Sequence, residues 1–451
     1  MKKPREAPTF ASLLSKLAYN DSRNFAELFS KLPVVTANDR YLHWDELLHR
    51  LPPEGLKHEQ WWLLLKSGRQ SQRQLISLKD KSGAAFSYVL LPPVPQTLHD
   101  IDMKAGGAFK MPEPVVNPES KDEYYVSSLI EEAITSSQLE GATTTRLVAK
   151  EMLRTGRAPI DRSEQMILNN YLTMRRISSL KDEPLSKDLI FEIHRLMTDE
   201  TLDDPSAAGR FRNSDEDIGV YDRENVLLYS PPPASELESR LQALCEFANQ
   251  DTPFVHPVIR SIILHFMLAY EHPFVDGNGR TARALFYWSM LRHQYWLVEY
   301  ISISNIMLKA RGKYGRAFLH TETDEADLTY FILHHLKVVT RALATLHEYI
   351  AHKTHEIRQF EAELQGIEIL NHRQRGVIRH AVRHPGKHYT VEEHRRTHNI
   401  SYETARSDLL DLSKRDLFVA KRVGKRWIFT PQIQLTGRLA ALGSRGGTLL
   451  V

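Results

Sequence analysis

Apolar side chains recur at helical spacing through most of the chain between Lys121 and Leu364. Val126, Leu129, Ile130, Ala133 and Ile134 mark one face of a helix that runs from about Tyr124 to Leu139. Gly141 follows it as a natural C′ residue. Arg260–Tyr270 reads as a nearly all-apolar helix, and Arg280–Arg292 as another, with Leu285, Trp288 and Leu291 as its buried stripe. Asp324–Leu364 contains no Gly or Pro. There Leu336, Val339, Leu343, Leu346 and Ile350 alternate steps of three and four, a seam interrupted at Lys353 and resumed at Ile357, Phe360 and Leu364. The seam predicts packing on the protein's own core; dimerisation is its other use.

Elsewhere the period changes. Between Gly209 and Pro233, Ile218–Tyr221 and Val226–Tyr229 flank the polar Asp222–Asn225, a short β-hairpin over about 217–230 stopped by Pro231-Pro232-Pro233. Residues 1–118 form a front segment of helical or mixed character. It has a tryptophan- and leucine-rich core (Trp44, Trp61, Trp62, Leu63–Leu65), a strand over Phe86–Leu91 and an irregular stretch from Ala105 to Pro118. A helical linker, 346–368, leads to a tail module over 369–432 and a terminal 433–451. The module reads as helices Arg373–His384, Thr390–His398 and Ser401–Lys414, then strands Leu417–Arg422 and Arg426–Thr430. Thr390 with Glu393 three residues on is a capping-box pattern. Three helices and a basic hairpin predict a winged helix-turn-helix. The expected fold is mainly α.

The total charge of +3 hides an asymmetry. Residues 371–431 hold 14 Lys and Arg against 6 Asp and Glu, a net of +8 that leaves −5 for the rest. A basic module joined to a mildly acidic body suggests a phosphate-bearing partner such as DNA. Tyr402, Thr404, Arg406 and Ser407 would face outward from the recognition helix. Lys421, Arg422, Lys425 and Arg426 would place the wing on phosphates. A protein-contact module is the alternative, favoured by Glu403 and Asp408 on the recognition helix. Cys245 is the only cysteine, which excludes a disulfide framework within the chain and a cysteine-rich zinc module and suggests a cytoplasmic protein. Lys2, Lys3 and Arg5 read as a solvated start rather than a leader, and no run is long and apolar enough for a membrane span.

The densest chemistry lies in His272-Pro273-Phe274-Val275-Asp276-Gly277-Asn278-Gly279-Arg280-Thr281-Ala282-Arg283. A base, a carboxylate, an amide, two glycines and two arginines share one turn and the start of a helix. Gly277 and Gly279 let backbone N–H groups converge on an anion. Arg280 and Arg283, three apart, lie on one helical face, and the positive end of the helix points to the same place. Far upstream, Ser136-Ser137-Gln138-Leu139-Glu140-Gly141 puts a carboxylate at a helix C-terminus, where the dipole disfavours it. Glu140 therefore calls for a cation from elsewhere. His272, at the end of its own helix, would have its pKa raised slightly by the dipole.

The first stretch resembles the Fic family signature, H-x-F-x-[DE]-G-N-[GK]-R-x-x-R, at every specified position. The second resembles that family's inhibitory motif, [ST]-x-x-x-E-[GN], with Ser136, Glu140 and Gly141 in place. The resemblance covers about 120–345 and implies a Fic-type helical core over 119–345. Its parts are an inhibitory helix (about 122–140), a flap (about 217–230) that borders the active site and docks the target's backbone, and a catalytic loop (272–283). It implies His272 as general base and Asp276 as a ligand to Mg2+ (or Mn2+). Gly277, Asn278, Gly279, Arg280 and Arg283 would bind the phosphates of ATP. Glu140 would pair with Arg283 and displace the γ-phosphate. The implied activity is transfer of AMP from ATP to a Ser, Thr or Tyr hydroxyl of a protein, itself included. Removal of AMP, or transfer of another phosphate-containing group, remains open on the same residues. So does a DNA-binding regulator whose core senses nucleotide.

Overall fold

The computed structural model describes residues 2–20, 35–37, 39–106, 118–216, 218–222, 224–384, 386–424 and 426–446. The chain divides into two compact units, residues 1–109 with 126–344 and residues 110–125 with 345–451. The front segment thus shares a unit with the central helices instead of standing alone.

The reason is polar as well as apolar. Helix α1 (His58–Gln72) contributes Trp61, Trp62 and Leu63–Leu65 to a local cluster with Leu13, Leu42 and Leu47. It also buries Lys66 and Arg69. Lys66 Nζ lies 2.7 Å from Asp324 Oδ1, and Arg69 Nη1 donates to the Tyr330 hydroxyl at 2.9 Å. Strands β1 (Arg73–Lys79) and β2 (Ala85–Val89) pair antiparallel. Only β2 is visible in the sequence as an apolar run. Its backbone also bridges to the distant segment around Asp327, with Ser87 N donating to Ala326 O and Leu328 N to Ser87 O.

Six helices and a hairpin set the site. They are α2 (Pro118–Leu139), α3 (Arg162–Leu180), α4 (Lys187–Thr198), α5 (Pro257–Glu271), α6 (Asn278–Arg292) and α7 (Arg311–Glu322). The near-continuous apolar run of α5 is explained by its position, since almost every side chain on it is buried. The hairpin consists of β3 (Val220–Tyr221) and β4 (Leu227–Tyr229), with Val220 opposite Tyr229. Asp222 closes its turn by accepting the N–H groups of Glu224 and Val226 on Oδ1. Helix α8 spans Thr329–Gly366 without a break. Leu336, Val339 and Leu343 of the seam are buried by the chain itself, so that part leaves no free apolar stripe for a second subunit.

The second unit runs α9 (His372–Arg383), β5 (Tyr389–Thr390), α10 (Val391–His398), α11 (Tyr402–Lys414), β6 (Phe418–Val423) and β7 (Arg426–Pro431). The strands form one antiparallel sheet in the order β5–β7–β6. Strand β5 is two residues long, too short to show a period. Thr390 caps α10 through its hydroxyl, but Glu393 pairs with Lys387 Nζ at 2.9 Å rather than completing the capping box. Asp408 is not a surface charge. It is 5% exposed and held by Arg373, Asn371 and His394, so it no longer argues against a nucleic-acid face.

Candidate active site

Helix α5 ends at Glu271, and His272 caps it in the left-handed region, with φ +46°. Its Nδ1 lies 3.2 Å from Ala269 O. A carbonyl only accepts, so that contact places the proton on Nδ1 and leaves Nε2 with a free lone pair. Arg212 fixes the turn, donating from Nε to His272 O at 2.9 Å and from its backbone N to Pro273 O at 2.8 Å. Burial pushes the His272 imidazole below its usual range, against the opposing pull of Ala269 O and the Glu140 charge. The expected rise from the helix terminus is thus overturned, because desolvation outweighs the dipole.

The loop after His272 is built around Phe274, fully buried and stacked on His194 with ring centroids 3.7 Å apart. His194 Nδ1 accepts from Gly209 N at 2.9 Å, so its Nε2–H donates to Asp276 O at 2.9 Å. Burial holds His194 down at about 4, so it serves as a neutral two-ended strut. Gly277 has φ +80°, and a Cβ there would approach Thr198 Cγ2 to 2.7 Å. Only glycine meets both demands. Asn278 departs from expectation. Its Oδ1 accepts from Phe274 N at 2.9 Å and its Nδ2 donates to Phe274 O at 2.7 Å. The side chain closes the loop on itself and does not reach toward a phosphate.

Both arginines of α6 are buried, and they differ sharply in their partners. Arg280 donates from Nη1 to Met197 O at 2.8 Å, while Nε and Nη2 make no hydrogen bond. Nη2 has only a long ion pair to Asp276 Oδ2 at 3.6 Å. Burial accordingly lowers the Arg280 pKa, with Asp276 and Glu140 opposing. Arg283 is saturated. Nε donates to Ser136 Oγ at 2.8 Å, and Nη2 to Ser136 O at 3.0 Å and to Glu140 Oε1 at 2.8 Å. Burial alone would lower its pKa, but Glu140 and Tyr314 leave it raised. Gly279 makes this pairing sterically feasible, since a Cβ there would fall within 2.8 Å of Glu140 Cδ. Gly141, at φ +98°, turns the chain immediately after Glu140. Arg311 Nη2 donates to Leu139 O at 2.7 Å and caps the same helix end.

Residues 184–290 match the Fic/DOC family model. That stretch of the chain is similar to Fic domains. The chain is 29% identical over 167 residues to the protein adenylyltransferase Fic of Nematostella vectensis, covering 37% of each chain. With the protein adenylyltransferase Fic of Drosophila virilis it shares 30% identity over 163 residues, 35% of this chain and 32% of the relative. The chain spans about a third of the length of these curated relatives. A crystal structure of a Fic family protein from Desulfovibrio desulfuricans covers 77% of this chain and 98% of its own, with a TM-score of 0.53 at 18% identity, and so shares the fold.

Around this loop, sequence reasoning missed the residues that hold the motif in shape. His194 sits on an ordinary amphipathic helix, and Arg212 in a loop that already contains Arg210. Neither carries a local signal. Glu132, on the helix that ends just before Glu140, is 2% exposed and accepts from Ser302 Oγ at 2.7 Å and Ser304 N at 3.0 Å. Asp276 lies open at the loop's edge, its side chain 42% exposed, with Oδ1 on Gly277 N.

In the second unit, Tyr402 is 46% exposed, and Lys421, Arg422 and Arg426 are exposed along the β6–β7 hairpin. Thr404 is partly buried, its hydroxyl 2.8 Å from Ser401 Oγ, and Arg406 lies 3.8 Å from Glu403. Lys425 lies outside the described residues.

Proposed function

We propose that this protein transfers AMP from ATP to a Ser, Thr or Tyr hydroxyl of a protein target, itself included, and that Glu140 restrains the reaction. The observation that carries this reading is the contrast between the two arginines. Arg280 has two buried, unbonded guanidinium nitrogens beside the first turn of α6. Together with the unpaired N–H groups of that turn, they suit a phosphate. Arg283 has the same chemistry but is occupied by Glu140 and Ser136. A γ-phosphate would have to displace the Glu140 carboxylate to reach it.

His272 supplies the remaining function. Its Nε2 takes the proton of the target hydroxyl. The hydroxyl oxygen bonds to the α-phosphorus, the bond from that phosphorus to the α–β bridging oxygen breaks, and pyrophosphate leaves. Arg280 and the α6 N-terminus stabilise the charge of the departing pyrophosphate. Among the described residues no group of three or more His, Cys, Asp or Glu is arranged to hold a metal ion. Asp276, a single partly exposed carboxylate, fits an Mg2+ or Mn2+ shared with the nucleotide's own oxygens. Bound there, the ion would neutralise phosphate charge. Tyr221, Val226 and Leu227 are exposed on the hairpin, the element that would meet the target. No helix among the described residues is long and apolar enough to cross a membrane, and the lone, buried Cys245 is compatible with a cytoplasmic setting.

Intact-mass and peptide mass spectrometry after incubation with ATP and Mg2+ tests this reading. Glu140→Gly should carry at least tenfold more AMP than the wild type. His272→Ala should carry none while still binding ATP. An unlabelled Glu140→Gly protein rejects autoinhibited self-modification. Release of AMP from an adenylylated protein would instead select hydrolytic removal of AMP, with water attacking the α-phosphorus, on the same residues.

A second role is favoured by the exposed Lys421, Arg422 and Arg426 and the internally neutralised Asp408: DNA binding by a winged helix-turn-helix in the second unit. The helix–strand–helix–helix–strand–strand order supports it. Affinity for a specific duplex that falls steeply with salt would establish it; binding that ignores salt would favour a protein partner.

A further inference from the structure

Arg162 stands at the first position of helix α3, after its N-cap Asp161. A cation there faces the positive end of its own helix, where the dipole disfavours it. Its position makes sense only in relation to the loop. Nη2 lies 3.4 Å from Asp276 Oδ2, and Nη1 lies 3.0 Å from Asp203 Oδ1. Its side chain is 52% exposed and that of Asp203 93% exposed. Exposed pairs of this kind contribute about 0–1 kcal/mol, so neither carboxylate holds the guanidinium firmly. Arg162 also lies close enough to Arg280 to oppose its charge. A third arginine thus borders the same anion site, and, unlike Arg280 and Arg283, it is free to move.

We propose that Arg162 is a phosphate-binding residue of the nucleotide site, a mobile cation that leaves Asp203 and closes on the β- and γ-phosphates and then on the departing pyrophosphate. This rests on the nucleotide reading given above. The contrast with its neighbours defines its part. Arg280 is fixed by Met197 O and Arg283 by Ser136 and Glu140, so both act as preset donors. Arg162 comes from outside the Fic motif and covers the solvent side of Asp276. It contributes to affinity for polyphosphates and nothing to affinity for AMP, which has neither the β- nor the γ-phosphate.

Equilibrium binding of ATP, AMP and inorganic pyrophosphate, each with Mg2+, measures this directly in the full chain carrying Glu140→Gly. Adding Arg162→Ala should weaken ATP and pyrophosphate roughly tenfold, the loss of one charge-assisted contact, and leave AMP unchanged. Arg162→Lys should recover part of the loss. Asp203→Ala, which removes the competing carboxylate, should strengthen pyrophosphate binding severalfold, and this exposed variant carries little risk to folding. Unchanged ATP and pyrophosphate affinity in Arg162→Ala, or an equal loss for AMP, would overturn the role of Arg162. Failure of the Glu140→Gly parent to bind ATP at all would overturn the nucleotide reading and this proposal together.

Discussion

Ser136 Oγ, Ser136 O and Glu140 Oε1 accept from Arg283, and under the proposed restraint these contacts hold the resting state. Two belong to a buried serine, and only the third can leave without moving the helix. Release therefore needs no more than a rotation of the Glu140 side chain, which is 27% exposed. Gly279 gives that side chain its space. Gly279→Ala should crowd the carboxylate off Arg283 and raise ATP affinity severalfold in a His272→Ala background; weaker ATP binding would show that the glycine serves the phosphates instead. The pH dependence belongs to His272. Its pKa is lowered, so the neutral base persists to more acid solution than a free imidazole allows, whose pKa is about 6.5. Labelling by Glu140→Gly should stay level down to below that value and fall only under it. Because Glu140 opposes the shift, removing its charge should move the acid limb lower still. A limb at or above the ordinary value would contradict the burial argument.

At the scale of elements, the 272–283 loop is one side of a set of braces. Phe274 locks it to α4 through His194, Asn278 closes it, and Arg212 ties it to the segment before the hairpin. Helix α2 is braced as deeply, since Glu132 accepts from Ser302 and Ser304. Withdrawal of the whole helix would leave these groups unpaired, so the proposed restraint is released most economically by a local movement of Glu140. Glu132→Ala should cost about 2–3 kcal/mol in denaturant unfolding and raise basal self-modification, because the helix that ends just before Glu140 loses its register. Full stability with unchanged labelling would mean that the serines are satisfied by other groups.

At the scale of the molecule, the front segment is the least interpretable part of the sequence and among the most firmly joined to the core. Lys66, Arg69, Asp324, Asp327, Tyr41 and Tyr330 form a buried network that burial and mutual charge hold in common. Removing one member strands the others. Asp324→Ala should destabilise the first unit by about 3–5 kcal/mol, measured as a loss of melting temperature. A shift no larger than that of a surface substitution would show that the front segment is only loosely joined.

The sequence alone determined the helices, because their apolar period is local, and it singled out the candidate phosphate site, because base, carboxylate, glycines and arginines are crowded into twelve residues. It also located Glu140, through the mismatch between a carboxylate and a helix C-terminus. Tertiary structure decided what those residues touch. Asn278 looks like a free donor until its amide is seen closing on Phe274, and Asp408 looks like a surface charge until Arg373 covers it. Arg162 and His194 have no signal in their own neighbourhoods, since their partners lie 114 and 82 positions away. Burial sets the direction of the His272 shift, and burial is a property of how distant segments pack.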